Sequence, residues 1–163
     1  MSSTLKKVAK EYPVVLVHGP RQSGKTTICR AVFSDKPYVS MENPDTRSRA
    51  LEDPRGFLAD FPNGVILDEI QRTPNLLSYM QQIVDEKKQN GFFILTGSDN
   101  FSLQQITSQS LAGRIALLTL LPFSMKEIKS ETWLTGTDKR ILYGGYPRLI
   151  TETPDRTFFF KNY

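Results

Sequence analysis

The sequence has little cysteine and no long hydrophobic run. Cys29 is the only cysteine, so an intrachain disulfide is excluded, and a single thiol cannot by itself form a zinc site. We expect Cys29 to pack on a helix. Nowhere do roughly eighteen apolar residues follow one another, as a membrane-spanning helix requires. Residues 1–13 lack the apolar segment of a secretory signal peptide, so a cytoplasmic location is expected.

An excess of charge of one sign is also missing. The chain has 21 Lys and Arg residues against 17 Asp and Glu residues, and its lysines form short clusters rather than a continuous basic stripe. This balance permits nucleic acid as a partner but does not require it. With 163 residues, of which 39% are hydrophobic and 23% charged, the chain has the composition of one soluble globular domain.

Short apolar runs alternate with segments of helical periodicity along most of the chain. The run PVVLVHG is typical of a strand buried on both faces of a parallel sheet, and TTICRAVFS after it has apolar residues at helical spacing. The later segments are predicted as a strand in KPYVSMENPD, a broken helix in TRSRALEDPRGFLADFP, a strand in NGVILDEI, an amphipathic helix in NLLSYMQQIVDEKKQNG that ends at Gly91, and strands in FFILTGS and IALLTLLPFS. This order predicts an α/β domain with a mostly parallel sheet and helices on both faces.

The stretch HGPRQSGKTT has the composition of a phosphate-binding loop between a strand and a helix. Gly19 and Gly24 would let the backbone curl so that its N–H groups point at phosphate oxygens, beside the positive end of the helix dipole. Lys25 would reach the β- and γ-phosphates, and the Thr26 hydroxyl would bind magnesium. The alternative is a glycine-rich turn with a solvated lysine. The predicted nucleotide-binding residues are Gly19, Pro20, Arg21, Gln22, Ser23, Gly24, Lys25, Thr26 and Thr27.

The strand in VILDEIQR ends in two acidic residues. Asp68 and Glu69 follow four apolar residues, which puts them at the carboxyl end of the strand, where ligands bind in an open α/β sheet. We predict Asp68 as a magnesium ligand and Glu69 as the group that polarises an attacking water. Without the neighbouring loop, a solvated turn would be the preferred interpretation. Arg72 is expected to be a solvated arginine at a helix start, with coupling of Glu69 to a partner as the alternative.

Polar residues after the fourth strand and an arginine before the fifth are further candidates. Thr96, Ser98 and Asn100 lie at the end of ILTGSDN, where a small polar side chain could hold the attacking water or touch the γ-phosphate. Ser98 or Asp99 could equally cap a helix. Arg114 precedes the fifth strand, and we expect it at the edge of the nucleotide crevice. It could stabilise transition-state charge in a neighbouring subunit or be an ordinary surface arginine.

Two other features are expected to be structural. His18, the only histidine, ends the first strand and is predicted to pack there rather than to catalyse. The aromatic residues Trp133, Tyr143 and Tyr146 are predicted to form part of the core of a lid rather than a surface on which bases stack.

Taken together, the motifs resemble those of the AAA+ superfamily ATPases of bacteria and archaea that join an N-terminal P-loop ATPase to a C-terminal nuclease-like domain. The segments that carry the resemblance, in order, are GPRQSGKTT, LDEIQRTPNLL, ILTGSDNFSL, SLAGRIALLTLLPFS and GGYP, within residues 12–147. The resemblance implies a P-loop NTPase three-layer sandwich with a five-stranded parallel sheet of order 5-1-4-3-2. It also implies a Walker A motif at residues 19–26, a Walker B motif at Asp68 and Glu69, a sensor position near Ser98, and Arg114 as a candidate arginine finger of a homo-oligomer.

The same resemblance gives the expected domain organisation. Residues 1–121 would form the P-loop ATPase core, and residues 122–163 would begin a lid or a connector, since the periodic pattern weakens after Pro122. Members of the family continue well past the GGYP segment, so the chain resembles a truncated product. The activity of the C-terminal domain is therefore not carried over to it.

Three functions are compatible with these motifs. The first is a magnesium-dependent ATPase that binds ATP or ADP and drives conformational change in a larger protein. The second is a nucleotide-binding switch with negligible turnover, and the third is a P-loop kinase of a small molecule. A kinase usually brings an arginine-rich lid and an acceptor site, neither of which stands out, whereas two adjacent acidic residues suit water as the acceptor. ATPase activity is therefore predicted, with the catalytic residues Lys25, Glu69, Ser98 and Arg114 and the metal ligands Thr26 and Asp68.

Overall fold

A parallel sheet of five strands forms the centre of the protein. The computed structural model describes residues 1–98, 110–128, 138, 144–152 and 155–161. The strands are β1 (Val14–Gly19), β2 (Tyr38–Ser40), β3 (Val65–Asp68), β4 (Phe93–Ser98) and β5 (Ile115–Thr119). They lie in the spatial order β2-β3-β4-β1-β5, and each neighbouring pair is parallel. Read from the other end, this is the order 5-1-4-3-2, so the expected P-loop NTPase architecture is confirmed.

Helices cover both faces of this sheet, as the alternating pattern predicts. They are α1 (Ser2–Val8), α2 (Lys25–Val32), α3 (Pro44–Glu52), α4 (Pro54–Ala59), α5 (Leu76–Lys87), α6 (Pro147–Thr151) and α7 (Arg156–Lys161), with a 3-10 turn at Ile70–Arg72. On one face, Leu5 of α1 and Cys29 of α2 pack with Val15 of β1. On the other face, Met80 of α5 packs with Leu16. Within the described ranges, no helix has the length and apolar character needed to cross a membrane.

The central strands are continuous apolar runs because both faces of the sheet are covered. In β1, the side chains of Val14, Val15 and Leu16 have no exposed surface. A strand with one wet face would instead alternate apolar and polar residues. β5 lies at the end of the sheet, and its Leu117 is 41% exposed. The candidate residues lie at the carboxyl ends of β1, β3 and β4, and these three strands are the buried central strands of the sheet.

Two local features differ from the sequence-based expectation. Helix α1 was not predicted. Leu5 is the one buried residue of this helix, so the sequence of the helix has little apolar periodicity to indicate it. α5 ends at Lys87 rather than at Gly91, because Lys88 adopts a left-handed conformation with φ of 51°. Gly91 has a different role, since a Cβ atom there would lie 2.7 Å from the carbonyl oxygen of Ala9.

Beyond β5, the structure describes an aromatic cluster between α6 and α7. The ring of Tyr146 lies 5.8 Å from that of Phe159 and 6.3 Å from that of Phe160, measured between centroids. Tyr146 thus packs against other rings, in line with the expectation of a structural role. Trp133 and Tyr143, predicted to join it, lie outside the described residues.

Candidate functional site

The loop after β1 curls as the glycine pattern predicts. Gly19 has φ of 148°, and a Cβ atom there would lie 2.2 Å from the carbonyl oxygen of Leu120, so a side chain would force the backbone to shift. Gly24 has φ of 91° and directly precedes Lys25, the first residue of α2. Gln22 is left-handed as well, with φ of 58°. For a residue other than glycine this conformation costs of order 1–3 kcal/mol, and it is concentrated at ligand-binding loops.

Lys25 lies inside this loop rather than in solvent. Its side chain is 6% exposed, and the ammonium group donates hydrogen bonds to the carbonyl oxygens of Gly19 at 3.0 Å and Pro20 at 2.6 Å. The neighbouring Ser23 hydroxyl is also buried, and its oxygen has no hydrogen-bond partner. Because a buried hydroxyl without a partner is costly, this atom indicates a place for a ligand oxygen. The alternative of a solvated lysine in a turn does not describe this geometry.

The fold brings the Thr26 hydroxyl to the Asp68 carboxylate. Thr26 Oγ1 donates a hydrogen bond to Asp68 Oδ1 at 2.9 Å. The same oxygen accepts from the Thr96 hydroxyl, and Asp68 Oδ2 accepts from the Tyr38 hydroxyl at 2.9 Å. Asp68 is only 8% exposed, so three donors compensate for the lost hydration of its charge. The two predicted metal ligands therefore meet at the carboxyl edge of the sheet.

Burial beside Asp68 raises the pKa of two other groups. Burial, the hydrogen bond to Asp68 and its charge raise the pKa of Tyr38 to about 12, against opposing contributions from Ser40 and Arg30. Burial, followed by the charge of Asp68, raises the pKa of Cys29 to about 12. Both groups therefore stay protonated at neutral pH. Tyr38 remains a hydrogen-bond donor, and Cys29 is a packing residue with little thiolate character.

Glu69 has an unusual backbone and a partner that the sequence analysis missed. Its φ is 57°, and its N–H donates to Thr96 Oγ1 at 3.4 Å. The Gln71 side-chain amide donates to Glu69 Oε2 and also to the Ser98 hydroxyl, at 3.0 Å. Gln71 thus links two residues predicted to be catalytic. In the sequence, Gln71 is marked only by its position two residues after Glu69. An ordinary polar turn residue at that position could not be distinguished from it.

Arg114 lies at the opposite edge of the sheet from the phosphate-binding loop. β5 begins beside Val14, the first residue of β1, whereas the loop follows the last residue of β1. The expected position of Arg114 at the crevice edge of its own chain is therefore wrong, because a residue before a parallel strand belongs to the amino edge. Its guanidinium donates to both carboxylate oxygens of Asp85, at 2.6 and 2.8 Å. These bonds lower the pKa of Asp85 and raise that of Arg114.

Arg72 and His18 have structural partners. Arg72 forms an ion pair of 3.3 Å with Glu42, and both side chains are substantially exposed. His18 is 6% exposed, and its Nε2 lies 3.0 Å from Thr119 Oγ1 on the neighbouring strand β5. These positions agree with the solvated and packing roles that the sequence favours. Asp99 and Asn100 lie outside the described residues.

A pocket of about 330 Å³ lies beside the loop and was not identified from the sequence. Ser23, Gly24 and Thr27 of the loop line its polar side, together with Ser2 and Glu127. Pro147 of the GGYP segment also lines it, and its Cγ atom would lie 3.8 Å from a Cβ atom placed on Gly24. The apolar residues that line it are Met1, Ile28, Ala31, Leu120, Leu121, Phe123 and Pro147. A largely apolar pocket with a few polar groups is typical of a site for a small organic molecule.

The sequence of the chain matches a known family over most of its length. Residues 11–129 match the family model of the AAA domain. The chain belongs to the AAA domain family. An uncharacterized protein of Mycobacterium tuberculosis and one of Mycobacterium bovis are each 34% identical to this AAA domain over 152 residues, or 92% of the chain. The chain spans about one third (33%) of the length of these two relatives.

Solved structures share the fold of this AAA domain. AMPPCP-bound DnaA from Aquifex aeolicus matches 93% of the chain with a TM-score of 0.62 and 14% identity, over 56% of the DnaA chain. A Walker-type ATPase of Pyrococcus abyssi matches 91% of the chain with a TM-score of 0.59 and 16% identity, over 63% of its own length. At these identities the similarity concerns the fold alone.

The AAA domain has oxygen ligands suited to magnesium where Thr26 and Asp68 meet. Among the described residues, no group of three or more His, Cys, Asp or Glu residues could hold a metal ion by itself. Magnesium usually takes one or two carboxylates together with waters and the phosphates of a bound substrate. One hydroxyl and one carboxylate beside a phosphate-binding loop therefore fit a magnesium ion that arrives with a nucleotide.

Proposed function

We propose that this AAA domain binds ATP or ADP with magnesium and hydrolyses ATP, and that hydrolysis drives conformational change in a larger protein. The observation that carries the proposal is the hydrogen bond of 2.9 Å between Thr26 and Asp68, which joins the phosphate-binding loop to the acidic end of β3. Glu69 follows at the same edge, so a metal ligand and a base lie side by side. Two of the similar structures, the AMPPCP-bound DnaA and the Walker-type ATPase, support the proposal that this domain binds a nucleotide.

Nucleotide binding is assigned to the loop and to the pocket beside it. The backbone N–H groups of residues 19–27 would surround the phosphates at the N-terminus of α2. Lys25 would transfer its hydrogen bonds from the loop carbonyls to the β- and γ-phosphates, and the Ser23 hydroxyl would donate to a phosphate oxygen. The base of the nucleotide would enter the apolar pocket between Ile28 and Pro147.

Hydrolysis is assigned to the residues at the ends of β3 and β4. Magnesium, held by Thr26 and Asp68, would neutralise phosphate charge. Glu69 would accept a proton from water while the water oxygen bonds to the γ-phosphorus and the bond to the bridging oxygen breaks, which gives ADP and phosphate. Ser98 would hold the water or the γ-phosphate, and the Gln71 amide, which contacts both side chains, sets their separation.

A nucleotide-binding switch with negligible turnover is the second candidate, and Gln71 favours it. Its amide binds the Glu69 carboxylate and the Ser98 hydroxyl at the same time. The amide thereby occupies Glu69 Oε2, one of the two oxygens that would accept the proton from water. Turnover would then require that nucleotide binding first separate Glu69 from Gln71.

Phosphate release from ATP, measured with and without magnesium, tests the proposed function. We expect magnesium-dependent release, and AMP, common metabolites and DNA are then added in turn. Nucleotide binding without release would favour the switch, and phosphate transfer to a metabolite would favour the kinase. Faster release with DNA would indicate nucleic acid as a partner. No binding of ATP or ADP under any of these conditions would refute the proposal.

The proposal includes the domain organisation expected from the motifs. Residues 1–121 would form the ATPase core, and residues 122–163 would begin a lid or connector to a C-terminal nuclease-like domain in a longer protein. Phe123 and Pro147 support this division, because both line the pocket next to the loop from outside the five-stranded sheet. A cytoplasmic location also stays a prediction.

Arg114 is proposed to act on the nucleotide of a second copy in a homo-oligomer. Arg114 lies at the amino edge, away from the phosphate-binding loop of its own chain, so a phosphate that it contacts would belong to a neighbouring subunit. To contact that phosphate, Arg114 would exchange its two hydrogen bonds to Asp85 for hydrogen bonds to phosphate oxygens.

If Arg114 acts in this way, phosphate release per molecule should rise with protein concentration, because a neighbour completes each site. Mixing Arg114→Ala with Lys25→Ala should restore part of the activity that each variant lacks, since a mixed interface pairs an intact loop with an intact Arg114. The control is Arg49→Ala, which removes another arginine paired with an exposed aspartate, Asp60. Activity independent of concentration, without rescue on mixing, would rule out the role.

A further inference from the structure

Tyr38 contacts the carboxylate that is proposed to bind magnesium, although no motif of the sequence includes it. β2 and β3 are parallel neighbours, with Tyr38 opposite Ile66 and Ser40 opposite Asp68. The Tyr38 side chain reaches along this pair and donates its hydroxyl hydrogen to Asp68 Oδ2 at 2.9 Å. The other carboxylate oxygen, Oδ1, accepts from Thr26 and Thr96. Tyr38 is therefore the donor that the structure gives to the second oxygen.

The ring of Tyr38 is itself held by α2. The Arg30 guanidinium carbon lies 4.8 Å from the ring centroid, in a cation–π contact. Arg30 is four residues after Thr26, so both side chains project from the same face of the helix. One turn of α2 thus contacts Oδ1 directly through Thr26 and Oδ2 indirectly through Arg30 and Tyr38. The orientation of the carboxylate is coupled to the helix that follows the phosphate-binding loop.

Counting the acceptor positions of Asp68 indicates what this contact does. An ionised carboxylate has about four lone-pair positions, two on each oxygen. Thr26 and Thr96 use Oδ1, and Tyr38 takes one position on Oδ2. Among the residues that the structure describes, no other donor contacts Oδ2, so its second position is available for a metal ion or for a water bound to it. The χ2 torsion of an aspartate has a broad energy minimum. Without the Tyr38 hydrogen bond, the Asp68 carboxylate would therefore rotate more freely.

We propose that Tyr38 is a positioning residue for magnesium: its hydroxyl fixes the orientation of Asp68 and directs the remaining acceptor position of Oδ2 toward the metal. The inference rests on the proposed function, since it concerns the metal that accompanies the nucleotide. Groups that orient a metal ligand in this way typically change metal affinity about 10- to 100-fold when removed. Tyr38 also lines an open polar groove of about 600 Å³, so water can replace part of the lost hydrogen bond and the lower end of that range applies.

The test is the magnesium dependence of ADP binding, measured by titration calorimetry. Tyr38→Phe removes the hydroxyl and keeps the ring on Arg30, and it should raise the half-saturating magnesium concentration about 10-fold. ADP affinity without magnesium should match that of the unmodified protein, and thermal unfolding checks that the variant is folded. The control is Tyr79→Phe, on α5 across the sheet, which should change none of these quantities. Arg30→Met, which removes the cation from the ring, should shift the magnesium requirement in the same direction by a smaller factor.

Direct metal binding gives a second measurement. Electron paramagnetic resonance of Mn²⁺ with ADP should show weaker Mn²⁺ binding in Tyr38→Phe than in Tyr79→Phe. Equal half-saturating magnesium in Tyr38→Phe and the unmodified protein, with unchanged Mn²⁺ affinity, would overturn the inference and leave the proposed function intact. Magnesium-independent ADP binding by the unmodified protein would instead refute the magnesium part of the proposed function, and the inference with it.

Discussion

Glu69→Gln is expected to lower ATP turnover roughly 10²-fold or more while nucleotide affinity stays the same. The substitution removes the carboxylate that accepts the proton from water, and it leaves Thr26 and Asp68 to bind magnesium. The new side chain has nearly the same shape, and its amide oxygen can still accept the hydrogen bond that Gln71 donates to Glu69 Oε2. We therefore expect a folded protein that binds ATP but hydrolyses it slowly.

Single-turnover phosphate release and ADP calorimetry on the same preparation separate the two effects. The matched control is Glu42→Gln. The Glu42 carboxylate pairs with Arg72 away from the loop, so this variant should hydrolyse ATP at the parent rate. Turnover by Glu69→Gln at the parent rate would mean that another residue is the base. Asp68→Asn should give the contrasting pattern. It should raise the magnesium concentration that the protein requires, while nucleotide affinity in the absence of metal stays the same.

Lys25→Ala is expected to weaken ATP binding about 10- to 150-fold. A hydrogen bond to a charged group contributes about 1.5–3 kcal/mol, which corresponds to that range. The Lys25 ammonium is buried and already bound to the carbonyl oxygens of Gly19 and Pro20, so it is placed at the loop before a phosphate arrives. Little side-chain entropy is then lost on binding, which favours affinity.

Titration calorimetry with ATP and magnesium measures this effect. Lys36→Ala is the matched control, since Lys36 donates a hydrogen bond to the carbonyl of Asn63 at 3.0 Å, before β3, and has no contact assigned to the nucleotide. It should bind ATP as the unmodified protein does. Thermal unfolding of both variants checks that the fold is intact. If Lys25→Ala and the unmodified protein bound ATP equally well, the assignment of residues 19–27 to the phosphates would be wrong.

Much of the fold was predictable because its signals are local. The strands read as continuous apolar runs since the helices cover both faces, and Gly19 and Gly24 mark backbone conformations that side chains would not tolerate. The strand order was not worked out from these signals but came from the resemblance to AAA+ ATPases, and the structure confirms it. The end of α5 was wrong by a few residues, because Lys88 takes a left-handed conformation that glycine usually provides.

The sequence by itself determined which residue types follow each strand: a glycine-rich loop with Lys25 after β1 and two acidic residues at the end of β3. Only the tertiary structure decided which side chains meet. Tyr38 and Asp68 are 30 residues apart, and Gln71 and Ser98 are 27 apart. Their contacts depend on the register of neighbouring parallel strands. Crossover helices separate these strands along the chain, so no local sequence pattern encodes the register. The same pairing placed Arg114 at the amino edge, because the start of β5 is aligned with the start of β1.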